Sequence, residues 1–109
     1  MSFRLQKINH ILQKEISEII LKEIDLENTF VTITNVETAS NILESNILIT
    51  VFPEEKEEKI LRILNRNIYD IQKLLDKKLK MKPVPKIYFK IDEGMKNLYK
   101  IDKLENKKS

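Results

Sequence analysis

The segment from Glu54 to Asp92 constrains the fold most, because it combines a long two-faced helical pattern, a proline stop and a strand. Its apolar residues recur at steps of three and four, so they form one stripe on a helix that turns about 100° per residue. That stripe consists of Ile60, Leu61, Leu64, Ile68, Ile71, Leu75 and Leu79. We predict that it packs into the core.

The opposite side of this helical wheel is basic. It carries Arg62, Arg66, Tyr69, Lys73, Lys77 and Lys80, and together with Lys82 we call these residues the basic face. Between Arg62 and Lys90 the chain has nine Lys or Arg and two Asp, a net charge of +7, which leaves −4 for the rest of a chain of total charge +3. Because local charge attracts a polyanion, this asymmetry indicates a surface for a polyanionic partner that continues toward Lys86 and Lys90. The alternative is a solvated helix surface.

Two prolines end the helical pattern. Pro83 and Pro85 cannot continue a helix, and each favours extended geometry in the residue before it, so we expect the chain to leave the helix near Lys82. The following residues, 86–92, alternate between apolar and polar, which predicts a half-buried strand. Its inward residues are Ile87, Phe89 and Ile91.

The length of the helical segment predicts a bend. A straight helix from about Glu55 to Met81 would be roughly 40 Å long, whereas a compact domain of about 100 residues is hardly wider than about 35 Å. The weakest helix formers inside the segment are asparagines. We therefore place a bend between Asn65 and Tyr69 and expect two helices.

The rest of the chain predicts a helix, two strands and a short C-terminal element. Apolar residues repeat at steps of three and four from Phe3 to Glu23, which predicts a helix. Strands are predicted from about 29 to 37 and from about 45 to 52, and the short loop between them favours antiparallel pairing. One or two helical turns are predicted from the spacing of Met95, Leu98, Ile101 and Leu104. The result is one α+β domain over residues 1–105, with 106–109 as a frayed tail.

Composition excludes several classes of function. A chain of 109 residues suffices for one domain, and the absence of Cys removes disulfides and thiolate metal sites. His10 is the only histidine and there is no glycine-rich phosphate loop, so we expect no catalytic, metal or cofactor site. No stretch approaches the roughly 18 apolar residues of a membrane span, and the N-terminus lacks a secretory pattern. We therefore expect a cytoplasmic protein that is not an enzyme, does not bind membranes and is a monomer when free.

Three segments carry a resemblance to a known family: VTITNVE (31–37), SNILITVF (45–52) and KPVPKIYFKID (82–92). Their more telling residues are Val31-Thr-Ile-Thr34 with Val36, and the spacing of Pro85, Phe89 and Asp92. With the order of elements and the length, they resemble ribosome-binding factor A from about Phe3 to Leu104.

The resemblance implies a fold and a function. The fold is a KH-like domain of the second type, with element order α-β-β-α-bend-α-β and a three-stranded sheet that has its helices on one face. The function is ribosome assembly, in which the factor binds the small (30S) ribosomal subunit and its RNA. It would assist late maturation, including processing of the 5′ end of that RNA by separate nucleases.

The sequence departs from the family at the bend. The Ala-x-Gly kink of the family corresponds to Asn67-Ile68-Tyr69, and Gln72 stands where the family has Arg. Without a glycine, a bend needs support from tertiary packing, and a nearly straight helix is the alternative. The replacement by Gln72 puts the RNA contact of that arginine in doubt.

Two hypotheses from different classes follow. The first is an assembly factor whose basic face docks on folded small-subunit RNA, with Tyr69 stacking on an unpaired base. The second is a KH-like protein interaction module whose basic face docks on an acidic protein partner. Salt-dependent binding to purified small-subunit RNA distinguishes them, because RNA releases counterions when a protein binds.

Overall fold

The helices and strands of the structure lie close to the positions that the periodicity of the sequence predicts. In this computed structural model, which describes residues 3–95, the elements are α1 (Phe3–Glu23), β1 (Phe30–Thr38), β2 (Glu44–Phe52), α2 (Glu57–Arg66), α3 (Ile68–Lys78) and β3 (Lys86–Ile91). A 3₁₀ turn, Glu54–Lys56, precedes α2. The order confirms the predicted α+β fold. The turns predicted after Gly94 lie, apart from Met95, outside the described residues, as does the tail.

The three strands form one sheet in the order β1-β2-β3. As predicted, β1 and β2 pair antiparallel. The structure adds that β3 pairs parallel to β2, after the crossover through α2 and α3. A β-bulge between Ile33 and Asn35 interrupts the first pairing. The extra residue shifts the alternation of side chains, so that both Ile33 and Val36 are buried.

The core lies between one face of the sheet and the three helices. The predicted stripe supplies it, since Ile60, Leu64, Ile71 and Leu75 are almost completely buried, and Leu61, Ile68 and Leu79 pack against it while partly exposed. The other contributors are Ile8, Leu12, Ile16, Ile19, Ile20, Ile33, Val36, Ile47, Ile49, Val51, Ile87 and Phe89. Burial of each such side chain contributes about 1.5–3 kcal/mol relative to exposure, which explains how an aliphatic core holds a domain of this size.

No described helix packs on the other face of the sheet. Phe30 and Phe52 are paired across β1 and β2 there, and 72% and 69% of their surfaces are exposed. Lys86 and Lys90 are also exposed, and they alternate along β3 with the buried Ile87 and Phe89. The two lysines therefore point away from the helices and do not extend the basic face, contrary to the sequence prediction.

The helical segment ends earlier than predicted. Leu79 closes the last turn of α3 by donating its N–H to the carbonyl of Leu75 at 3.0 Å, and its own backbone is extended, with φ −88° and ψ 136°. Its side chain remains packed against the core. Lys80 and Lys82 consequently lie in the loop before β3, and the assignment of Lys80 to the helix was wrong. The ammonium of Lys82 donates to the carbonyl of Asp76 at 3.2 Å near the helix end.

Asp92, directly after β3, joins the two outer strands. Its Oδ2 accepts a hydrogen bond from the Thr34 hydroxyl at 2.5 Å, its Oδ1 accepts one from the N–H of Met95 at 3.0 Å, and its own N–H donates to Ile49 at 2.8 Å. The hydrogen bond from Thr34 is the main cause that lowers the pKa of Asp92, followed by the backbone N–H of Met95. These bonds favour the charged carboxylate.

We expect the substitution Thr34→Val to raise the pKa of Asp92 toward its ordinary value. A lowered pKa means that ionised Asp92 stabilises the fold at neutral pH, and that this contribution disappears as the pH falls through the pKa of the folded state. The free energy of unfolding of Asp92→Asn should therefore fall below that of the parent by about 1 kcal/mol at pH 7, and the two should converge once the pH falls below the lowered pKa of folded Asp92. An NMR titration of the Asp92 carboxyl carbon checks the first expectation. An unchanged pKa in Thr34→Val would rule out Thr34 as its cause.

Candidate functional site

All seven residues of the basic face are exposed to solvent, as predicted. Two lie on α2 and three on α3, and the remaining two lie in the loop after α3: Arg62, Arg66, Tyr69, Lys73, Lys77, Lys80 and Lys82. The five helical residues flank the junction between α2 and α3. The geometry of this junction therefore sets where the charged side chains of α2 lie relative to those of α3.

Asn67 forms the junction between the two helices. Its φ of −99° and ψ of 6° leave the helical region, and its side-chain Nδ2 donates to the carbonyl of Ile63 at 2.8 Å. The backbone N–H of Asn67 donates to the same carbonyl at 3.2 Å, and its own carbonyl accepts from Ile71 at 3.0 Å. The predicted interruption thus occurs at Asn67 without glycine, and the two backbone bonds, each from residue i to the carbonyl of residue i−4, carry the α-helical bonding pattern across it.

Tyr69 is the single aromatic residue of the basic face. Its side chain is 73% exposed at the start of α3. The ammonium of Lys73, one turn later, lies 5.9 Å from the centre of its ring, within the range of a cation–π contact. An exposed ring next to a cation is suited to stacking on an unpaired base that carries a phosphate.

The ion pairs among the described residues use lysines outside the basic face. Lys59 pairs with Glu27 at 3.1 Å, and Lys78 pairs with Glu15 at 3.3 Å and with Glu18 at 3.5 Å. The six cations of the basic face have no carboxylate within 4 Å in the part of the chain that the structure describes. Their charges therefore remain available to a ligand.

Two adjoining grooves separate the end of α1 from α2 and α3. The larger encloses about 550 Å³ and is lined by Glu23, Ile24, Asp25, Glu27, Lys59, Arg62, Ile63, Arg66 and Asn67. The smaller encloses about 310 Å³ and is lined by Glu23, Ile24, Asn67, Asp70, Ile71, Lys73, Leu74 and Lys77. Four cations of the basic face thus line two grooves that share Glu23, Ile24 and Asn67.

Two acidic residues that α1 and the turn after it bring to these grooves were missed by the sequence analysis. Glu23 and Asp25 lie at the end of α1, about 40 positions before the arginines that they face. The pattern of charges within the helical segment contains no sign of them, because only the packing of α1 brings them there. The basic face is therefore a surface of mixed charge along one side.

Gln72, which stands where the family has Arg, has a structural role. Its Nε2 donates to the carbonyl of Pro85 at 3.1 Å and to Asp76 at 3.2 Å, and its Oε1 accepts from the N–H of Ile87 at 3.0 Å. Lys86 donates to Leu43 in the direction of β2, so the N–H of Ile87 faces the free edge of the sheet. Gln72 pairs with this edge as a neighbouring strand would.

Neither metal ligands nor a membrane-spanning helix is found in residues 3–95. Within that range no three His, Asp or Glu side chains converge to hold a metal ion, and His10 is exposed on α1. None of the helices there is both long and apolar enough to cross a membrane.

Comparison with known sequences identifies the family. The sequence profile described as "Ribosome-binding factor A" matches residues 4–105. The chain belongs to the ribosome-binding factor A family. Ribosome-binding factor A of Macrococcus caseolyticus is 34% identical over 106 residues, which cover 95% of this chain and 93% of that protein. The resemblance inferred from the strand segments is thereby confirmed.

Solved structures of ribosome-binding factor A have the same fold. The crystal structure of the Thermus thermophilus protein matches with a TM-score of 0.67 at 21% identity, covering 80% of this chain and 94% of that one. A homology model of the Thermus thermophilus protein, fitted into a cryo-EM map of a 30S complex of that protein, matches with a TM-score of 0.64 at 22% identity, covering 75% of this chain and 88% of that one. The match to the crystal structure confirms the fold predicted from the sequence.

Proposed function

We propose that this protein is a ribosome assembly factor that binds the small ribosomal subunit through its basic face. Its family membership supports this proposal, as does the relative from Thermus thermophilus that has been fitted into a map of a complex with the 30S subunit. The observation that carries it is the set of six exposed cations without a carboxylate within 4 Å among the described residues. The phosphates of folded RNA supply the charge that such a surface lacks.

The mechanism is docking without catalysis. Phosphate contacts from α2, α3 and the following loop hold the protein in one orientation on the RNA, and Tyr69 stacks on an unpaired base beside them. A factor held in this way stabilises an immature arrangement of the subunit until assembly advances. We propose that it acts in the cytoplasm, and that separate nucleases then process the 5′ end of the small-subunit RNA.

The salt dependence of binding tests this proposal against an acidic protein partner. If all six cations contact phosphates, the logarithm of the association constant for purified small-subunit RNA should fall with the logarithm of salt concentration with a slope of about −4 to −5. Titration of the RNA by fluorescence anisotropy between about 50 and 300 mM salt measures the slope. A slope near zero, or binding to subunits that protease treatment abolishes and RNA alone does not reproduce, would favour the protein partner.

A further inference from the structure

Phosphate binding does not explain Glu23, which lies among the cations of the basic face. It lines the groove of Arg62 and Arg66 as well as that of Lys73 and Lys77. A carboxylate at this place repels phosphate. It is also the last residue of α1, where the negative end of the helix dipole makes an acidic side chain unfavourable. The helix dipole disfavours the charge of Glu23 and a bound phosphate would repel it, whereas the cations that line the same grooves favour it.

The two other acids of the larger groove, in contrast, have partners within the fold. Asp25 accepts the N–H of Glu27 at 2.9 Å and so forms a turn after α1. Glu27 pairs with Lys59 at 3.1 Å. Among residues 3–95, the carboxylate of Glu23 has neither a hydrogen bond nor an ion pair, and it is exposed at the point where the two grooves join. In the larger groove it is therefore the acid that is available to a ligand, whereas Asp70, which is also exposed, lines the smaller groove only.

The larger groove offers complementary groups on its two walls. Arg62 and Arg66 line one wall, Glu23 lines the other, and the side chains of Ile24 and Ile63 supply apolar surface. A ligand that fits this arrangement carries a negative group, a flat ring and a hydrogen-bond donor directed away from the negative group.

We propose that this groove binds one unpaired guanine nucleotide of the bound RNA. The inference rests on the proposed function. Arg62 and Arg66 bind the phosphate, and the carboxylate of Glu23 accepts two parallel hydrogen bonds from the N1–H and the 2-amino group of the base. Uracil is rejected, because the two carbonyl oxygens that flank its N3–H repel the carboxylate. Glu23 thus weakens the binding of RNA in general and makes the binding selective for guanine.

The variant Glu23→Gln tests this proposal with two short RNAs, an oligouridine with one central guanosine and an oligouridine of equal length. The wild-type protein should bind the guanosine-containing RNA about tenfold more tightly. In Glu23→Gln the guanosine-containing RNA should bind more weakly than to wild type, whereas the oligouridine should bind about twofold more tightly because a negative charge is gone. Opposite changes for two RNAs are the signature of base reading. Fluorescence anisotropy at fixed salt measures all four affinities.

A matched variant, Glu58→Gln, removes the same charge from an exposed position of α2 that lines neither groove. It should leave the ratio of the two affinities unchanged. Equal wild-type affinities, no binding of either RNA, or equal tightening of both by Glu23→Gln would overturn base reading. A different result would contradict the proposed function: unchanged binding to the small subunit after the charges of the basic face have been reversed.

Discussion

The triple variant Arg66→Glu, Lys73→Glu, Lys77→Glu is expected to lose small-subunit binding while it keeps its fold. The three side chains are exposed and have no ion pair within the described residues, so their replacement leaves the core intact. If each reversal costs about 1 kcal/mol of binding free energy, the affinity falls about a hundredfold or more. Since three phosphate contacts disappear, the salt slope should also become shallower by about 2 to 3. Co-sedimentation with purified small subunits and the RNA titration measure the two effects.

The first helix provides a control with the same change of charge. Arg4, Lys7 and Lys14 are exposed on α1 and lie outside both grooves. Replacing these three by Glu also converts one arginine and two lysines, and we expect the affinity for the subunit to fall by less than about tenfold, through the long-range field alone. Equal losses in the two triple variants would show that total charge matters and that the basic face does not. Retained binding by a folded Arg66, Lys73, Lys77 variant would refute the proposed surface.

The variant Gln72→Ala is expected to lower the free energy of unfolding by about 2–3 kcal/mol. Gln72 is the partner of the Pro85 carbonyl and of the Ile87 N–H, and both residues are almost completely buried. Removal of the amide leaves a donor and an acceptor of the strand without their partner, and a buried polar group without a partner costs about 1–3 kcal/mol. Urea unfolding of the purified variant, followed by circular dichroism, measures the loss.

A second glutamine provides the comparison for this prediction. The Nε2 of Gln13 donates to the carbonyl of Ile33 at 3.0 Å on the opposite edge of the sheet, and its side chain is exposed on α1. Gln13→Ala removes one bond from a wetter site, so its cost should stay below about 1 kcal/mol. If both variants unfold at the same urea concentration as the parent, Gln72 does not stabilise β3. A weaker small-subunit affinity in a stable Gln72→Ala variant would instead indicate that Gln72 contacts RNA.

Local periodicity explains how much of the fold could be read from the sequence. The apolar stripe from Ile60 to Leu79 and the alternation along β2 predicted the buried faces, because these patterns depend only on backbone geometry. The interruption of the helical segment was likewise predicted within two residues of Asn67, from asparagine propensity and the width of a small domain. Helix ends were less accurate, since the extended geometry of Leu79 depends on its packing.

The sequence by itself determined the order of elements, the side of each that is buried, and the positive charge carried by α2 and α3. The tertiary structure decided which distant residues meet. Thr34 bonds to Asp92 across 58 positions, Gln72 completes the edge of β3, and Glu23 faces Arg62 and Arg66 across a groove. The physical reason is that periodicity is a local property of the backbone, whereas the position of one helix end against another depends on the packing of the whole core.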